Sequence, residues 1–318
     1  MSAPAEVLDA ARSGDAAAFE RLVSSYREEL LAHCYRMLGS RHDAEDVLQE
    51  ALVRAWRGVG GLDERGFVRA WLYKIATNRC LTALERLGRR ELPFDVHPGT
   101  PATEISWLEP RPDPSPEASY LAREAIGLAF VAALQHLSAL QRAVLILRDV
   151  LGFSAAEVAE LLDTSTASVN SALQRARKTI DTTRVSRQSM LHELGSDAVN
   201  EIGRRWIDAW QDGDVDAIVA MLADEARFSM PPLPEWYRGT DAIRAFLVDG
   251  PLRSRWRFLP TSANAQLAFG TYLWDHDAGA YLPGGLDVLT LHNGQVSEIV
   301  SFLTADLTDF GLPADLPA

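Results

Sequence analysis

Apolar residues recur at helical intervals through the first 90 residues of the chain. This spacing predicts helices over residues 5–11, 15–38, 43–56 and 67–89, with glycine-containing breaks between them. The helix over 43–56 has two distinct sides. Its apolar side predicts a core contact, and its other side is an acidic, hydrogen-bonding strip formed by Asp43, Asp46, Gln49 and Glu50.

Seven prolines fall between residues 91 and 119. Because proline lacks an N–H and restricts its neighbours, this composition predicts an extended linker. Trp107 and Leu108 are its only large apolar pair. We therefore expect the linker to lie on a surface, either of the protein's own domains or of a partner.

Helical spacing returns between residues 120 and 187, with predicted helices over 129–137, 138–151, 154–162 and 165–184. Ser154, followed three residues later by Glu157, is typical of a capping box at a helix start. A short helix, a tight turn at Asp163-Thr164 and a longer helix form a predicted helix-turn-helix. The second helix of such a motif enters the major groove of DNA.

From residue 196 onward the pattern changes to helices followed by alternating strands. The predicted helices cover 199–210, 214–222 and 240–248, with Thr240 as a helix cap. Strands are predicted over 255–260, 264–274, 285–292 and 295–303, and Asn293-Gly294 indicates a hairpin turn. Three helices followed by a meander of long strands predict an α+β cone that encloses a pocket.

Composition agrees with a soluble globular protein of two or three compact units. The 318 residues are 47% hydrophobic and 24% charged. No apolar run is long enough to span a membrane, and the N-terminus lacks the features of a signal peptide, so we expect a cytoplasmic protein. Cys34 and Cys80 have no metal-ligand spacing, which favours reduced, helix-packed thiols and no metal site.

The net charge of −13 is unevenly distributed. Residues 1–90 carry +1 (14 basic, 13 acidic), residues 91–195 carry −4 (9 and 13), and residues 196–318 carry −10 (8 and 18). Basic residues cluster in two stretches, 67–90 and 165–187. Two basic patches on an acidic chain indicate two contacts with nucleic-acid phosphates.

The segments DAEDVLQEALVRAW and FVRAWLYKIATNRCLTALERLGRR resemble region 2 of the sigma-70 family. In that family the acidic helix docks on the clamp helices of RNA polymerase, and the following helix captures the opened −10 element of the promoter. The resemblance implies polymerase binding by Asp43, Asp46, Gln49 and Glu50. It implies −10 contacts by Lys74, Asn78 and Arg79.

The segment LSALQRAVLILRDVLGFSAAEVAELLDTSTASVNSALQRARKTI resembles sigma region 4. The implied −35 contacts are Ser165, Thr166, Ser168, Val169, Ser171, Ala172, Arg175, Arg177 and Lys178. Together, residues 12–187 resemble an extracytoplasmic-function (ECF) sigma factor, the small class without region 3. This resemblance implies core RNA polymerase, through its clamp helices and flap, and promoter DNA as partners. In the family, the linker between the regions threads toward the polymerase active-site channel.

The segments DGDVDAIVAMLADEARF and YRGTDAIRAFL resemble SnoaL-like proteins of the nuclear-transport-factor-2 superfold. The residues expected to line its pocket are Trp210, Phe228, Trp236, Tyr237, Phe269, Tyr272 and Asp287. Asp287 has two open interpretations: an acid-base residue or ligand anchor inside the pocket, or an outward-facing strand residue. The second is favoured because no histidine or second acid stands at an evident catalytic spacing.

Some ECF sigma factors carry a fused SnoaL-like domain that is thought to regulate the sigma part in cis. One branch has an Asp-Gly-Gly-Gly-Lys motif in this domain, and the comparable segment here reads MPPLPEWYRG. A mechanism that depends on that motif therefore does not carry over.

We thus expect a multi-domain protein with two all-α sigma domains and a C-terminal α+β cone. The expected divisions are region 2 (5–90), linker (91–119), region 4 (120–187), SnoaL-like domain (196–306) and tail (307–318). The leading hypothesis is a non-enzymatic alternative sigma factor without a cofactor and without membrane contact. The alternatives are a SnoaL-like enzyme or small-molecule sensor fused to a DNA-binding module, and a repressor that uses only its helix-turn-helix.

Overall fold

The computed structural model describes residues 5–62, 68–87, 90–95, 105–113, 127–182 and 196–318. These residues form two compact units. The first contains the described residues up to Arg90 and those from Phe130 to residue 182; the second contains 91–95, 105–113, 127–129 and 196–318. Parts of the predicted linker, including Pro98, Pro101, Pro114 and Pro116, lie outside the described residues.

The N-terminal part of the first unit is a helical bundle. Its helices are α1 (Ala5–Arg12), α2 (Ala16–Ser24), α3 (Arg27–Leu38), α4 (Arg41–Gly58) and α5 (Val68–Leu87). The single helix predicted over 15–38 is wrong, because the chain breaks at Ser25 and Tyr26 and restarts without a side-chain cap. The apolar stripe continues across this break, so periodicity alone did not reveal it.

Region 4 completes the first unit, apart from Leu128 and Ala129 at the start of its first helix, which group with the second unit. Its elements are α6 (Leu128–Gln135), α7 (Ala139–Leu145), a π-helical turn (Ile146–Val150), α8 (Ala155–Leu161) and α9 (Thr166–Thr182). The predicted capping box is confirmed: the Glu157 N–H donates to Ser154 Oγ at 3.2 Å, and the Ser154 N–H donates to Glu157 Oε2 at 2.7 Å. A short helix, a tight turn and a longer helix therefore follow one another as predicted.

The second unit contains the α+β domain. Its helices are α10 (Ser196–Asp212), α11 (Val215–Ala220) and α12 (Thr240–Asp249), and its strands are β1 (Leu222–Ser229), β2 (Trp236–Arg238), β3 (Trp256–Ala263), β4 (Gln266–Asp275), β5 (Ala280–His292), β6 (Gln295–Phe302) and β7 (Leu316–Pro317). The sheet order is β2-β1-β6-β5-β4-β3, with β7 on β5. The cap of α12 is Gly239 rather than the predicted Thr240, which is the first helical residue.

One sheet face and the helices enclose an aromatic core. Trp206 and Trp210 on α10 pack with Phe228, Phe258 and Phe269 from three strands. The Trp210 and Phe258 ring centroids are 5.0 Å apart. This arrangement fixes the sheet face to which each strand residue belongs, because successive side chains alternate across a sheet.

Candidate functional site

The acidic strip lies on α4, whose start is fixed by Ser40. The Asp43 N–H donates to Ser40 Oγ at 3.1 Å, which caps the helix. Buried Ala44, Val47 and Leu48 turn the opposite face toward the bundle core. The strip is therefore placed on the outer side of α4, as its periodicity predicts.

Within the strip, Asp43 differs from the other three residues. Its carboxylate is half-buried and forms an ion pair with Arg90. Asp46, Gln49 and Glu50 are exposed. The strip thus presents two carboxylates and an amide to solvent, while Asp43 braces the end of region 2.

Helix α5 carries the residues predicted to contact the −10 element. Asn78 is exposed, whereas Lys74 and Arg79 are half-buried. Arg79 Nε lies 3.9 Å from Glu50 Oε2 on α4, so the two predicted surfaces adjoin. Lys74 Nζ lies 2.7 Å from Asp163 Oδ1 and donates to the Glu160 carbonyl at 3.1 Å.

Lys74 therefore binds the turn of the helix-turn-helix. Asp163 occupies that turn in a left-handed conformation with φ 48°. Sequence reasoning missed Asp163 and Glu160 as partners of Lys74, because a contact across nearly 90 residues leaves no local signal. The Asp-Thr pair indicated only that a turn was present.

The recognition helix α9 divides its predicted −35 residues between two faces. The exposed ones are Ser165, Thr166, Ser171, Arg175, Arg177 and Lys178, and Ser168 is half-buried. Val169 and Ala172 are fully buried beneath α9. Their assignment to the DNA-facing side is wrong, because they lie on the apolar stripe that packs the helix onto α7 and α8.

Arg177 already has a protein partner. Its guanidinium forms a two-pronged ion pair with Asp149 in the π-helical turn, at 2.9 Å from Nε and 2.7 Å from Nη2. Such fork geometry is the strong form of an Arg–carboxylate contact. In this structure Arg177 therefore braces α9 against the preceding turn.

Regions 2 and 4 share an aromatic contact inside the first unit. The Tyr73 and Phe153 rings meet edge to face, with centroids 5.5 Å apart. The Arg69 guanidinium lies 5.0 Å from the Tyr73 centroid and 4.7 Å from the Phe153 centroid. A cation between two aromatic faces stabilises this junction.

Arg142 adds a buried polar connection. This nearly inaccessible guanidinium donates to the Met37 carbonyl at the end of α3 and to Gln135 Oε1 at 2.6 Å. It also donates to the Gln135 carbonyl at 3.1 Å. Since helix C-termini carry unpaired carbonyls and partial negative charge, one arginine stabilises the ends of α3 and α6.

Two buried groups on the region 2 side of this junction, His33 and Cys80, are kept neutral. Burial lowers the pKa of His33 to about 3, with Arg36 and Arg69 acting in the same direction. His33 Nε2 lies 2.9 Å from Thr77 Oγ1. Cys34 and Cys80 are both buried and unbridged, and burial raises the pKa of the Cys80 thiol.

The candidate pocket residues of the α+β domain do not share one environment. Trp210, Phe228 and Phe269 belong to the aromatic core. Tyr237 stacks on Phe246 at the edge of that core, with centroids 4.2 Å apart, and Trp236 is exposed. Of these five residues, only Trp210, Phe228 and Phe269 are buried.

Tyr272 lies on the other face of the sheet, so its assignment to an interior pocket is wrong. It stands three positions after Phe269 on β4, which reverses its face. Its hydroxyl donates to the Pro313 carbonyl at 2.7 Å. The C-terminal residues cover this outer face, and Leu316 pairs with Tyr281 in the sheet.

Asp287 is buried, contrary to the favoured outward-facing interpretation. It pairs with Phe269 on one side and Ser301 on the other, on the same sheet face as the aromatic core. Burial raises its pKa to about 7, and a hydrogen bond with Ser301 opposes that shift. Its Oδ1 and Trp210 Nε1 make no hydrogen bond within the described part of the chain.

An open depression of about 210 Å³ lies elsewhere on this domain. Arg205, Asp208 and Asp214, from α10 and the start of α11, are among its lining residues. Trp210 and Asp287 are not part of its lining. The depression is therefore separate from the predicted interior pocket.

Three family models match consecutive parts of the chain. They are sigma-70 region 2 over residues 22–90, sigma-70 region 4 over residues 127–180, and the SnoaL-like domain over residues 203–299. The ECF RNA polymerase sigma factor SigG of Mycobacterium tuberculosis (strain ATCC 25618 / H37Rv) is 44% identical over 324 residues, which cover 96% of this chain and 86% of the relative. The chain belongs to the ECF family of RNA polymerase sigma factors.

Two further comparisons agree with this ECF assignment. SigJ of the same strain is 28% identical over 230 residues, covering 70% of each chain. A crystal structure of M. tuberculosis SigJ matches with a TM-score of 0.64 at 25% identity, covering 92% of this chain and all of that one. The predicted fold class, two helical sigma regions followed by an α+β domain, is confirmed.

As an ECF sigma factor, the protein binds core RNA polymerase and directs transcription initiation at specific promoters. The described residues contain no helix long and apolar enough to cross a bilayer.

Proposed function

We propose that the exposed part of the α4 strip, Asp46, Gln49 and Glu50, binds the polymerase clamp helices. Three observations support this: the side chains are exposed, they share one helix face, and Asp43 beside them is held by Arg90. Two carboxylates beside an amide suit a basic, hydrogen-bonding partner. Arg90 then acts as a positioning residue for the strip.

We further propose that Lys74, Asn78 and Arg79 contact the opened −10 strand and that α9 contacts the −35 duplex. The recognition-helix set is Ser165, Thr166, Ser168, Ser171, Arg175 and Lys178, without Val169 and Ala172. Small hydroxyl side chains at a helix start allow close approach to the groove, and arginine reads guanine or phosphate. Arg177 joins this set after it leaves Asp149.

Because Lys74 of region 2 contacts Asp163 of region 4, we propose that this arrangement, the packed form, is a closed state. Asp163 is two residues from Ser165, which places a −10 residue within roughly 10 Å of the start of the −35 helix. Centres of the −10 and −35 elements are separated by about 85 Å of B-DNA, at 3.4 Å per base pair. The packed form does not contact both elements together, so regions 2 and 4 separate when the promoter is bound.

The C-terminal domain is proposed to regulate this opening in cis and to perform no catalysis, in a protein that works in the cytoplasm. Its net charge of −10 gives it electrostatic complementarity to the basic DNA-facing stretches. A ligand sensor is the second candidate for this domain. Buried Asp287 and the indole N–H of Trp210 favour it, since unpaired buried polar groups on an aromatic core are suited to a small polar ligand.

Run-off transcription with core polymerase and a promoter-fragment library tests the proposed function. The variant Asp46→Ala/Glu50→Ala is compared with Asp9→Ala/Glu20→Ala, which removes two exposed carboxylates from α1 and α2 of the same unit. We expect the first variant to lose core binding and transcription at least tenfold and the second to match wild type. Equal activity of both variants would contradict the assigned polymerase surface.

A truncation ending at Gly195 tests regulation in the same assay. Stronger transcription by the truncation than by the full chain supports inhibition by the C-terminal domain. If only the full chain initiates, the domain is instead required for activity. Equal activity of the two would overturn regulation in cis.

A further inference from the structure

One of the two residues in the β3–β4 hairpin loop, Asn264, is buried, which is unusual at a hairpin tip, whereas Ala265 is exposed. Asn264 and Ala265 form the loop, both with φ 56°, and Asn264 is 0% exposed. Hairpin loops normally lie at the solvent surface, where their polar groups bind water. Residues of the linker between the two sigma regions contact this tip.

Three hydrogen bonds join the linker to the hairpin. The Arg111 N–H donates to Asn264 Oδ1 at 2.9 Å, and the Asn264 N–H donates back to the Arg111 carbonyl at 2.9 Å. The Ala265 N–H donates to Asp113 Oδ1 at 2.5 Å. Pro112 completes an antiparallel bridge with Ala263. The side chain and the backbone N–H of Asn264 thus bind the backbone of Arg111 in the way that a neighbouring strand would.

A second contact holds the start of the linker on β1 and β2. The Arg227 guanidinium lies 4.2 Å from the Phe94 ring centroid, and Trp236 meets Phe94 edge to face at 6.4 Å. Neighbouring Leu92 is fully buried. Since β2 and β3 are the two outer strands of the sheet order, the linker is held at strands near both edges of the sheet.

The linker also closes on itself, because its first residue, Glu91, pairs with the chain around Trp107. The Glu91 N–H donates to the Ser106 carbonyl, and the Leu108 N–H donates to the Glu91 carbonyl, both at 2.9 Å. Leu108 is 1% exposed. Glu91 and Trp107 are therefore adjacent, and the residues between them add nothing to the reach of the linker.

Closing this loop shortens the tether between the sigma regions. Between Arg90 and Leu128 lie 37 residues, which reach roughly 115 Å as a proline-rich extended chain. With Glu91 beside Trp107, the 20 residues that follow Trp107 reach about 60 Å. The shortened tether is less than the roughly 85 Å between promoter element centres.

We propose that the C-terminal domain binds linker residues 91–95 and 105–113 of its own chain as an intramolecular ligand and releases them when core polymerase binds. Capture limits how far the two sigma regions separate, and release provides the length that promoter contact requires. This inference rests on the proposed function, and it assigns the regulating contact to Asn264, Ala265, Arg227 and Trp236.

Residue-resolved hydrogen–deuterium exchange of the full chain tests the proposal at the Ala265 amide. Free wild type is compared with Phe94→Ala/Asp113→Ala, which changes only linker side chains. Asn264→Gly removes the side-chain acceptor and keeps a residue suited to positive φ. The matched control is Asn293→Gly, at the exposed tip of the β5–β6 hairpin with φ 50°.

We expect the exchange rate of the Ala265 amide to rise about tenfold or more in Phe94→Ala/Asp113→Ala. The exchange rate of the Arg111 amide should rise by a similar factor in Asn264→Gly. Neither rate should rise in Asn293→Gly. Saturating core polymerase should produce the same rise at Ala265 in wild type. Fast exchange in free wild type would overturn capture, and unchanged protection in the polymerase complex would overturn release. If the protein does not bind core polymerase, both the proposed function and the release step are contradicted. Whether the C-terminal domain captures the linker is still decided by comparing exchange in free wild type with exchange in the free variants.

Discussion

The ammonium group of Lys74 lies 2.7 Å from a carboxylate oxygen of Asp163, and this ion pair joins a residue that we propose contacts the −10 element to the turn that precedes the recognition helix. Both side chains are more than one-third exposed, so the pair contributes little to folding, on the order of 0.2–1 kcal/mol. The more important effect of the pair is that it holds the Lys74 ammonium group against Asp163. A lysine bound to a carboxylate is not available to a DNA phosphate.

Replacing Asp163 by asparagine should therefore change DNA binding more than stability. Asparagine tolerates the left-handed conformation, and the change releases Lys74 from its charged partner. We expect severalfold tighter binding of a single-stranded oligonucleotide by fluorescence anisotropy and a free energy of unfolding within about 1 kcal/mol of wild type. Asp9→Asn, with the same charge change on α1, is the control. An equal gain in both variants would mean that net charge alone is responsible.

Substitutions on the two faces of α9 should change different properties: DNA binding on the exposed face and folding stability on the buried face. Arg175→Ala on the exposed face should weaken binding to duplex DNA and lower the slope of log affinity against log salt by about 1. Val169→Ala on the buried face should cost about 2 kcal/mol of folding stability through lost packing. Anisotropy at several salt concentrations and urea denaturation measure the two effects. A stable Val169→Ala protein with weakened DNA binding would restore Val169 to the DNA face.

Arg142 should be the most sensitive polar residue of the first unit. Its removal leaves the Met37 and Gln135 carbonyls without this donor in a buried site, so Arg142→Ala should cost about 3 kcal/mol. Arg142→Lys keeps the charge but lacks the several fixed N–H donors of the guanidinium, so it should recover only part of the lost folding stability. Urea denaturation of the three proteins checks the order. A lysine variant as stable as wild type would show that charge, not fork geometry, is what the site needs.

Asp287 should make stability fall as pH rises. Burial raises its folded pKa to about 7, whereas an unfolded aspartate titrates near 3.9, so the unfolded state loses its proton first. Between about pH 4 and pH 7 this lowers the free energy of unfolding by about 1.4 kcal/mol per pH unit.

The variant Asp287→Asn isolates that contribution, because Glu298 and Glu29 also have raised pKa values and the same sign of effect. The stability difference between variant and wild type should grow in favour of the variant from pH 5 to pH 7. Parallel pH profiles from urea denaturation would show that Asp287 titrates normally.

The sequence predicted those parts of the fold that local signals specify. The Ser154–Glu157 box fixes a helix start through neighbouring atoms, and Asn293-Gly294 fixes a hairpin through its own φ preference. Such signals act within a few residues. The periodicity of α4 similarly placed the acidic strip on one face.

Features that depend on distant contacts were missed or misassigned. Parallel pairing of β1 with β6 joins strands about 70 residues apart, and no local pattern specifies it. Val169 and Ala172 were assigned to DNA by their place in a motif, although their apolar character matched the buried stripe. Asp287 was favoured as outward-facing because carboxylates are rarely buried, and its strand register overrides that preference.

Pulsed electron paramagnetic resonance on the full chain tests the central claim most directly, with spin labels at Ala17→Cys on α2 and Ala156→Cys on α8, both exposed. Native Cys34 and Cys80 are buried, which limits their labelling. The free protein should give one short distance, and addition of core polymerase and promoter DNA should lengthen it by tens of ångströms, toward the roughly 85 Å between the promoter elements. An unchanged distance in a complex that initiates transcription would contradict the closed state and its opening.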